Sequence, residues 1–214
     1  MKPTRESELV LAAAKDMLRK GLTEGTAGNL SMRLADGNIV ITPSSVDYEA
    51  MTLDDLCVID LDANQVAGER GPSSEKLLHL SCYKAFDDVQ AVIHAHPIYA
   101  TMFAVARRDI PAAIDEFAIY CGGDVKVTEY AMSGTPEVGE NAVAVLGGRG
   151  AALLANHGMV AVGPSPAKAL HITALVERSA QIVWGAEALG EVHHLPDSVN
   201  ETFKTYYSFM RTAP

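Results

Sequence analysis

The chain has 214 residues, 48% of them apolar and 21% charged, with a formal net charge of −10. That length fits one compact domain able to bury roughly 70% of its unfolded surface without a staple. Its acids and bases are interspersed, which argues against nucleic acid or an anionic membrane as partner, and no apolar run is long enough to span a bilayer. Any phosphate bound here must be held by local donors rather than by the field of the whole molecule. Cys57, Cys82 and Cys121 are odd in number and form no C-x-x-C pair, so they read as reduced packing thiols. The first twenty residues lack the apolar core of a secretory signal, and a cytoplasmic protein is expected.

Apolar residues at Leu9, Val10, Ala13, Met17 and Leu18 predict a helix over residues 5–20, stopped by Gly21. A Gly-rich turn at 23–28 precedes two strand segments, 30–34 and 38–41, joined by the hairpin sequence Ala35-Asp36-Gly37. A strand is expected at 56–61, then a helix opening at Gly71-Pro72-Ser73-Ser74 and running to about Phe86. Residues 91–95 form an apolar strand leading through His94-Ala95-His96-Pro97 into a helix that ends near Arg107. A helix over 136–146 has Pro near its start and Gly147-Gly148 after its end. Strands follow at 151–154 and 159–162, then a long helix over 166–188 and a short one around 200–210. This order predicts one α/β domain over residues 1–214, with a mixed, largely antiparallel sheet flanked by helices.

Three segments carry side chains with chemistry. In a strand alternate residues share a face, so His94 and His96 aim two imidazoles at one region, a spacing that suits zinc. His157 stands in Asn156-His157-Gly158 between two apolar strands. It offers a third nitrogen that would leave a fourth position open, or else it bonds a turn backbone. His79 and His171 fall inside helices, and His193-His194 in a loop, which makes them poorer ligand candidates. Pro72-Ser73-Ser74-Glu75 resembles ordinary helix-start chemistry but equally offers donors to an anion. Thr42-Pro43-Ser44-Ser45 and the turn from Gly25 to Ser31 are two further donor-rich loops, and the three together could cradle one phosphate.

The blocks GTAGNLS at 25–31, ITPSS at 41–45, PSSE at 72–75, HAHP at 94–97 and NHG at 156–158 occur in the order found in the class II aldolase/adducin head family. The resemblance runs over essentially the whole chain and is strongest to the L-fuculose-1-phosphate aldolases within that family. It implies zinc bound by His94, His96 and His157, with Glu75 as acid/base. It implies a substrate phosphate held by Asn29, Ser44, Ser45, Ser73 and Ser74. It also implies a homotetramer with active sites between subunits, to which Tyr206 near the C-terminus would be carried from a neighbouring copy. The expected reaction is cleavage of a phosphorylated ketose to dihydroxyacetone phosphate and an aldehyde. Decarboxylation of an oxo-acid phosphate, 4-epimerisation of a pentulose phosphate and dehydration of a methylthioribulose phosphate begin from similar carbanions and are the alternatives. A non-catalytic adducin-like interaction module is the alternative of another class. Ser44-Ser45 stands where the fuculose enzymes have Thr-Gly; Glu116 stands where they have a tyrosine and Ser133 near an aromatic, on the aldehyde side.

Overall fold

The computed structural model describes residues 4–212. Helix α1 (Arg5–Arg19) begins at a capping box. The Thr4 hydroxyl accepts from the Ser7 amide at 3.1 Å, and Ser7 Oγ accepts from the Thr4 amide at 2.9 Å. Strands β1 (Asn29–Arg33), β2 (Ile39–Ile41), β3 (Cys57–Ile59) and β4 (Gln65–Ala67) follow, with a single 3-10 turn at Leu53–Asp55. Helix α2 (Lys76–Ala85), strand β5 (Ala91–Ala95), and helices α3 (Ile98–Val105) and α4 (Asp115–Cys121) lead to the two-residue strand β6 (Lys126–Val127). Helix α5 (Pro136–Leu146), strands β7 (Ala151–Leu154) and β8 (Gly158–Gly163), and helices α6 (Pro166–Leu189) and α7 (Asp197–Thr212) complete the order.

The strands form one sheet in the order β4-β3-β2-β1-β5-β8-β7-β6. Every neighbouring pair is antiparallel except β6–β7. The expected mixed, largely antiparallel sheet is therefore what the chain folds into. Side-chain alternation divides the core cleanly. Ile39, Ile41, Val92, Val160 and Val162 pack on one face with Leu78, Cys82 and Val138 from α2 and α5. Val40, Ala91 and Ile93 pack on the other with α1, while Met159 and Ala161 pack there with α3, α4 and α6.

Helix α2 starts later than its Pro-Ser-Ser opening suggests. Pro72 makes a β-bridge to Pro43, which holds residues 71–73 extended until the chain turns at Ser74-Glu75. Strands β4 and β6 and helix α4, none expected from the sequence, are only two to seven residues long. Among the described residues no helix is long and apolar enough to cross a membrane, and Cys57, Cys82 and Cys121 are buried free thiols.

Candidate active site

The centre of the sheet delivers three imidazoles to one point. Asn29 of β1 lies opposite His94 of β5, and Ala95 lies opposite Met159 of β8. His96 comes just past the end of β5, and His157 sits in the turn from β7 to β8 that passes through Asn156 at φ 55°. The guanidinium of Arg107 donates twice to Asn156 Oδ1, at 2.6 and 3.0 Å, and so fixes that turn. The ring centroids of His94, His96 and His157 lie 4.6–5.0 Å apart. Gly158 is required beside them, because a Cβ there would stand 2.5 Å from the Ala95 carbonyl and 2.6 Å from His96 Cδ2.

Glu75 completes the group. It occupies the N-cap position of α2, yet its side chain makes no capping bond. Instead Oε2 lies 3.0 Å from His94 Nε2 and Oε1 lies 3.3 Å from His157 Nε2. Asn29 Nδ2 donates to Oε2 at 3.0 Å and Ser133 Oγ donates to Oε1 at 2.7 Å. Burial opposes ionisation of Glu75, but the hydrogen bond and charge of His94, with Ser133 and His157, outweigh it and hold the carboxyl well below its ordinary range. Burial pushes the His96 imidazole down to about 4, so it is neutral at physiological pH, and burial also lowers that of His157.

The donor chemistry fits a divalent cation. His94 faces the Met159 carbonyl through Nδ1 at 2.9 Å, so that nitrogen carries a proton and Nε2 is directed at the cluster. That Nε2 stands 2.9 Å from His96 Nε2 and 3.0 Å from a Glu75 carboxylate oxygen. Groups this close must share protons or surround a cation. Ligands about 2.0–2.1 Å from a tetrahedral zinc are themselves about 3.3 Å apart, close to the separations seen here. Among the described residues, Glu75, His94, His96 and His157 are the one group of three or more such side chains able to hold a metal ion, with ligand atoms within 4.8 Å of one another.

Beside this group lies a cavity of about 230 Å³ lined by all five expected cradle residues, Asn29, Ser44, Ser45, Ser73 and Ser74, together with Glu75, His96, His157 and Ser133. Two backbone bonds join two of its loops, Ser44 N to Gly71 O at 3.1 Å and Ser73 N to Thr42 O at 3.2 Å. The third loop is anchored by the Tyr48 hydroxyl, which donates to Gly28 O at 2.6 Å. Gly28 has φ +75° and lies so close to the sheet that a Cβ would meet His94 O at 2.7 Å. Two cavities of about 330 Å³ lie elsewhere, one under α1 and α6 and one between α6 and α7, but neither contains the converging imidazoles. Tyr206 stands outside the cavity, exposed on α7 with its ring 6.3 Å from Phe203. Glu116 is an exposed partner of Arg178 at 3.5 Å. Ser133 was legible only as a departure from the family pattern; no local signal marks its bond to Glu75.

Residues 8–184 match the profile of the family described as Class II Aldolase and Adducin N-terminal domain. The chain is 37% identical over 201 residues to the 5-methylthioribulose-1-phosphate/5-deoxyribulose-1-phosphate aldolase of Rhodospirillum rubrum, covering 92% of this chain and 90% of that protein. It is 34% identical over 211 residues to the L-fuculose phosphate aldolase of Escherichia coli K12, covering 96% and 97%. A solved structure of an L-fuculose 1-phosphate aldolase superposes with a TM-score of 0.92 at 38% identity, covering 98% of this chain and 99% of that one. With the sheet order, the converging imidazoles and the loop-lined cavity in place, these similarities show that the chain belongs to the class II aldolase and adducin family.

Proposed function

We propose that this chain is a zinc-dependent lyase that cleaves a ketose 1-phosphate, such as L-fuculose 1-phosphate or a 5-deoxypentulose 1-phosphate, to dihydroxyacetone phosphate and an aldehyde. The observation that carries the reading is the placement of Glu75. A carboxylate at a helix start forgoes capping and sits between three imidazoles and a hydroxyl-lined cavity. In this reading residues 1–214 act as one such domain in the cytoplasm, in keeping with the single sheet and the buried free cysteines.

His94, His96 and His157 hold the metal. Bound there, it supplies Lewis acidity against the negative charge left beside the ketone when the carbon–carbon bond breaks. Ser44, Ser45, Ser73 and Ser74 hold the phosphate, with the second N–H of Asn29 available to the same cavity. This places the three-carbon end of the substrate against Glu75, which moves the proton on the carbon next to the carbonyl. Tyr206 of a neighbouring copy takes the proton from the hydroxyl on the carbon that becomes the aldehyde as the carbon–carbon bond breaks. Assembly is supported by the exposed face Ile98, Met102 and Val105 of α3, which starts two residues after His96, and by exposed Trp184 against Tyr99. Light scattering should give four times the chain mass.

Product analysis on a panel of ketose 1-phosphates tests the reaction class. Release of dihydroxyacetone phosphate supports cleavage, whereas an epimer, loss of carbon dioxide or a dehydrated product would assign the site to one of those reactions. A protein that holds no metal and turns over none of the panel would point to an adducin-like interaction module.

Ser73→Ala should chiefly raise KM. Losing a hydrogen bond to a charged group costs about 1.5–3 kcal/mol, on the order of 10- to 100-fold. An unchanged preference for phosphorylated over unphosphorylated ketose would remove Ser73 from the cradle.

A further inference from the structure

His79 is fully buried in α2 and outside the metal cluster, yet it is connected to Glu75 by side chains alone. Glu75, His79 and Tyr83 recur every four residues and so share a face of the chain entering and forming α2. Asn29 and Ser31 alternate on one face of β1. The two rows interlock. Asn29 Nδ2 lies 3.0 Å from Glu75 Oε2, His79 Nε2 lies 2.5 Å from Asn29 Oδ1, Ser31 Oγ lies 2.6 Å from His79 Nδ1, and Tyr83 OH lies 2.8 Å from Ser31 Oγ. At its far end Arg33 donates to the Tyr83 carbonyl at 2.8 Å, and its guanidinium lies 5.0 Å from the Tyr83 ring centroid.

The direction of every bond follows from the first. An ionised carboxylate only accepts, so Asn29 must present its amide hydrogens to Glu75 and its oxygen to His79. His79 therefore donates from Nε2. Burial drives its imidazole down to about 3, so it is neutral and Nδ1 must accept from the Ser31 hydroxyl. Ser31 in turn accepts from Tyr83. All four donors point toward Glu75, in a region where polar bonds are strengthened and an unpaired group is costly.

We propose that His79 is a positioning residue for the proton-transfer carboxylate. Locked as the Nε2–H tautomer by Ser31 and Tyr83, it fixes the Asn29 amide so that Glu75 is aimed at the substrate carbon. This rests on Glu75 being the acid/base.

The test uses the metal-loaded enzyme and dihydroxyacetone phosphate in deuterated water, reading exchange of the proton on the hydroxymethyl carbon. His79→Leu and Ser31→Ala should keep their metal and their KM and lose about 10–100-fold in maximal exchange rate, the range seen when an orienting outer partner is removed. His79→Gln, which can still donate to Asn29, should recover much of the loss. Ser31→Ala keeps the ring and decides the matter if His79→Leu does not fold. A folded, metal-loaded His79→Leu or Ser31→Ala protein with the wild-type rate would overturn the proposal, as would a loss that His79→Gln does not reduce. Glu75→Gln measured alongside separates the two ideas. If it is inactive while the His79 and Ser31 variants are normal, only the positioning role falls. If Glu75→Gln itself exchanges normally, both fall.

Discussion

Replacing Glu75 by Gln should lower kcat by roughly 10²–10⁴ while the protein stays folded and metal-loaded. The substitution keeps size and removes only the charge and the proton-accepting oxygen. Had Glu75 served the α2 dipole, its loss would cost about 0.3–1 kcal/mol of stability and leave the chemistry intact. The structure separates these roles, since the side chain caps nothing and meets Asn29, Ser133, His94 and His157 instead. Proton exchange on dihydroxyacetone phosphate isolates the step, because it needs the base and no aldehyde. Wild-type exchange by a metal-loaded Glu75→Gln protein would take Glu75 out of the reaction.

His96→Ala should abolish stoichiometric metal binding and, with it, turnover. The remaining pair would be His94, fixed through the Met159 carbonyl, and His157, held by a turn that Arg107 clamps. Two imidazoles leave only the Glu75 carboxylate, already held by Asn29 and Ser133, as a third protein ligand, so the site loses a nitrogen that no other side chain replaces. His193→Ala, in an exposed segment before α7, serves as the control and should bind metal like the wild type. Elemental analysis of the three purified proteins reads the outcome directly. Equal metal content in wild type and His96→Ala would contradict the assignment of the triad.

Much of the site could be read residue by residue, because its parts obey local rules. His94 and His96 alternate along a strand that ends at Pro97, and Asn156-His157-Gly158 is a turn sequence between two apolar runs. The serine pairs at 44–45 and 73–74 were recognisable as donors. Their joining by the Pro43–Pro72 bridge was not, since nothing in either segment says which strand end it will meet. That same bridge delays α2 and turns Glu75 away from the capping role its position suggests. His79 is the instructive case. Its spacing from Glu75 and Tyr83, and that of Asn29 from Ser31, are plain in the sequence. What the sequence withholds is that α2 lies across β1, so that two separate periodicities mesh into one chain of hydrogen bonds. Strands β4 and β6 are too short for any alternation to declare them, and they exist because β3 and β7 offer open edges.

The measurement that bears most directly on the whole account is release of dihydroxyacetone phosphate from L-fuculose 1-phosphate and 5-deoxyribulose 1-phosphate, followed with zinc-loaded protein and again after exhaustive chelation. The loaded protein should cleave at least one of the two, lose that activity on chelation, and regain it when zinc is restored. Cleavage that persists undiminished in metal-free protein, or a fully loaded protein that releases no dihydroxyacetone phosphate from either ketose, would contradict the account.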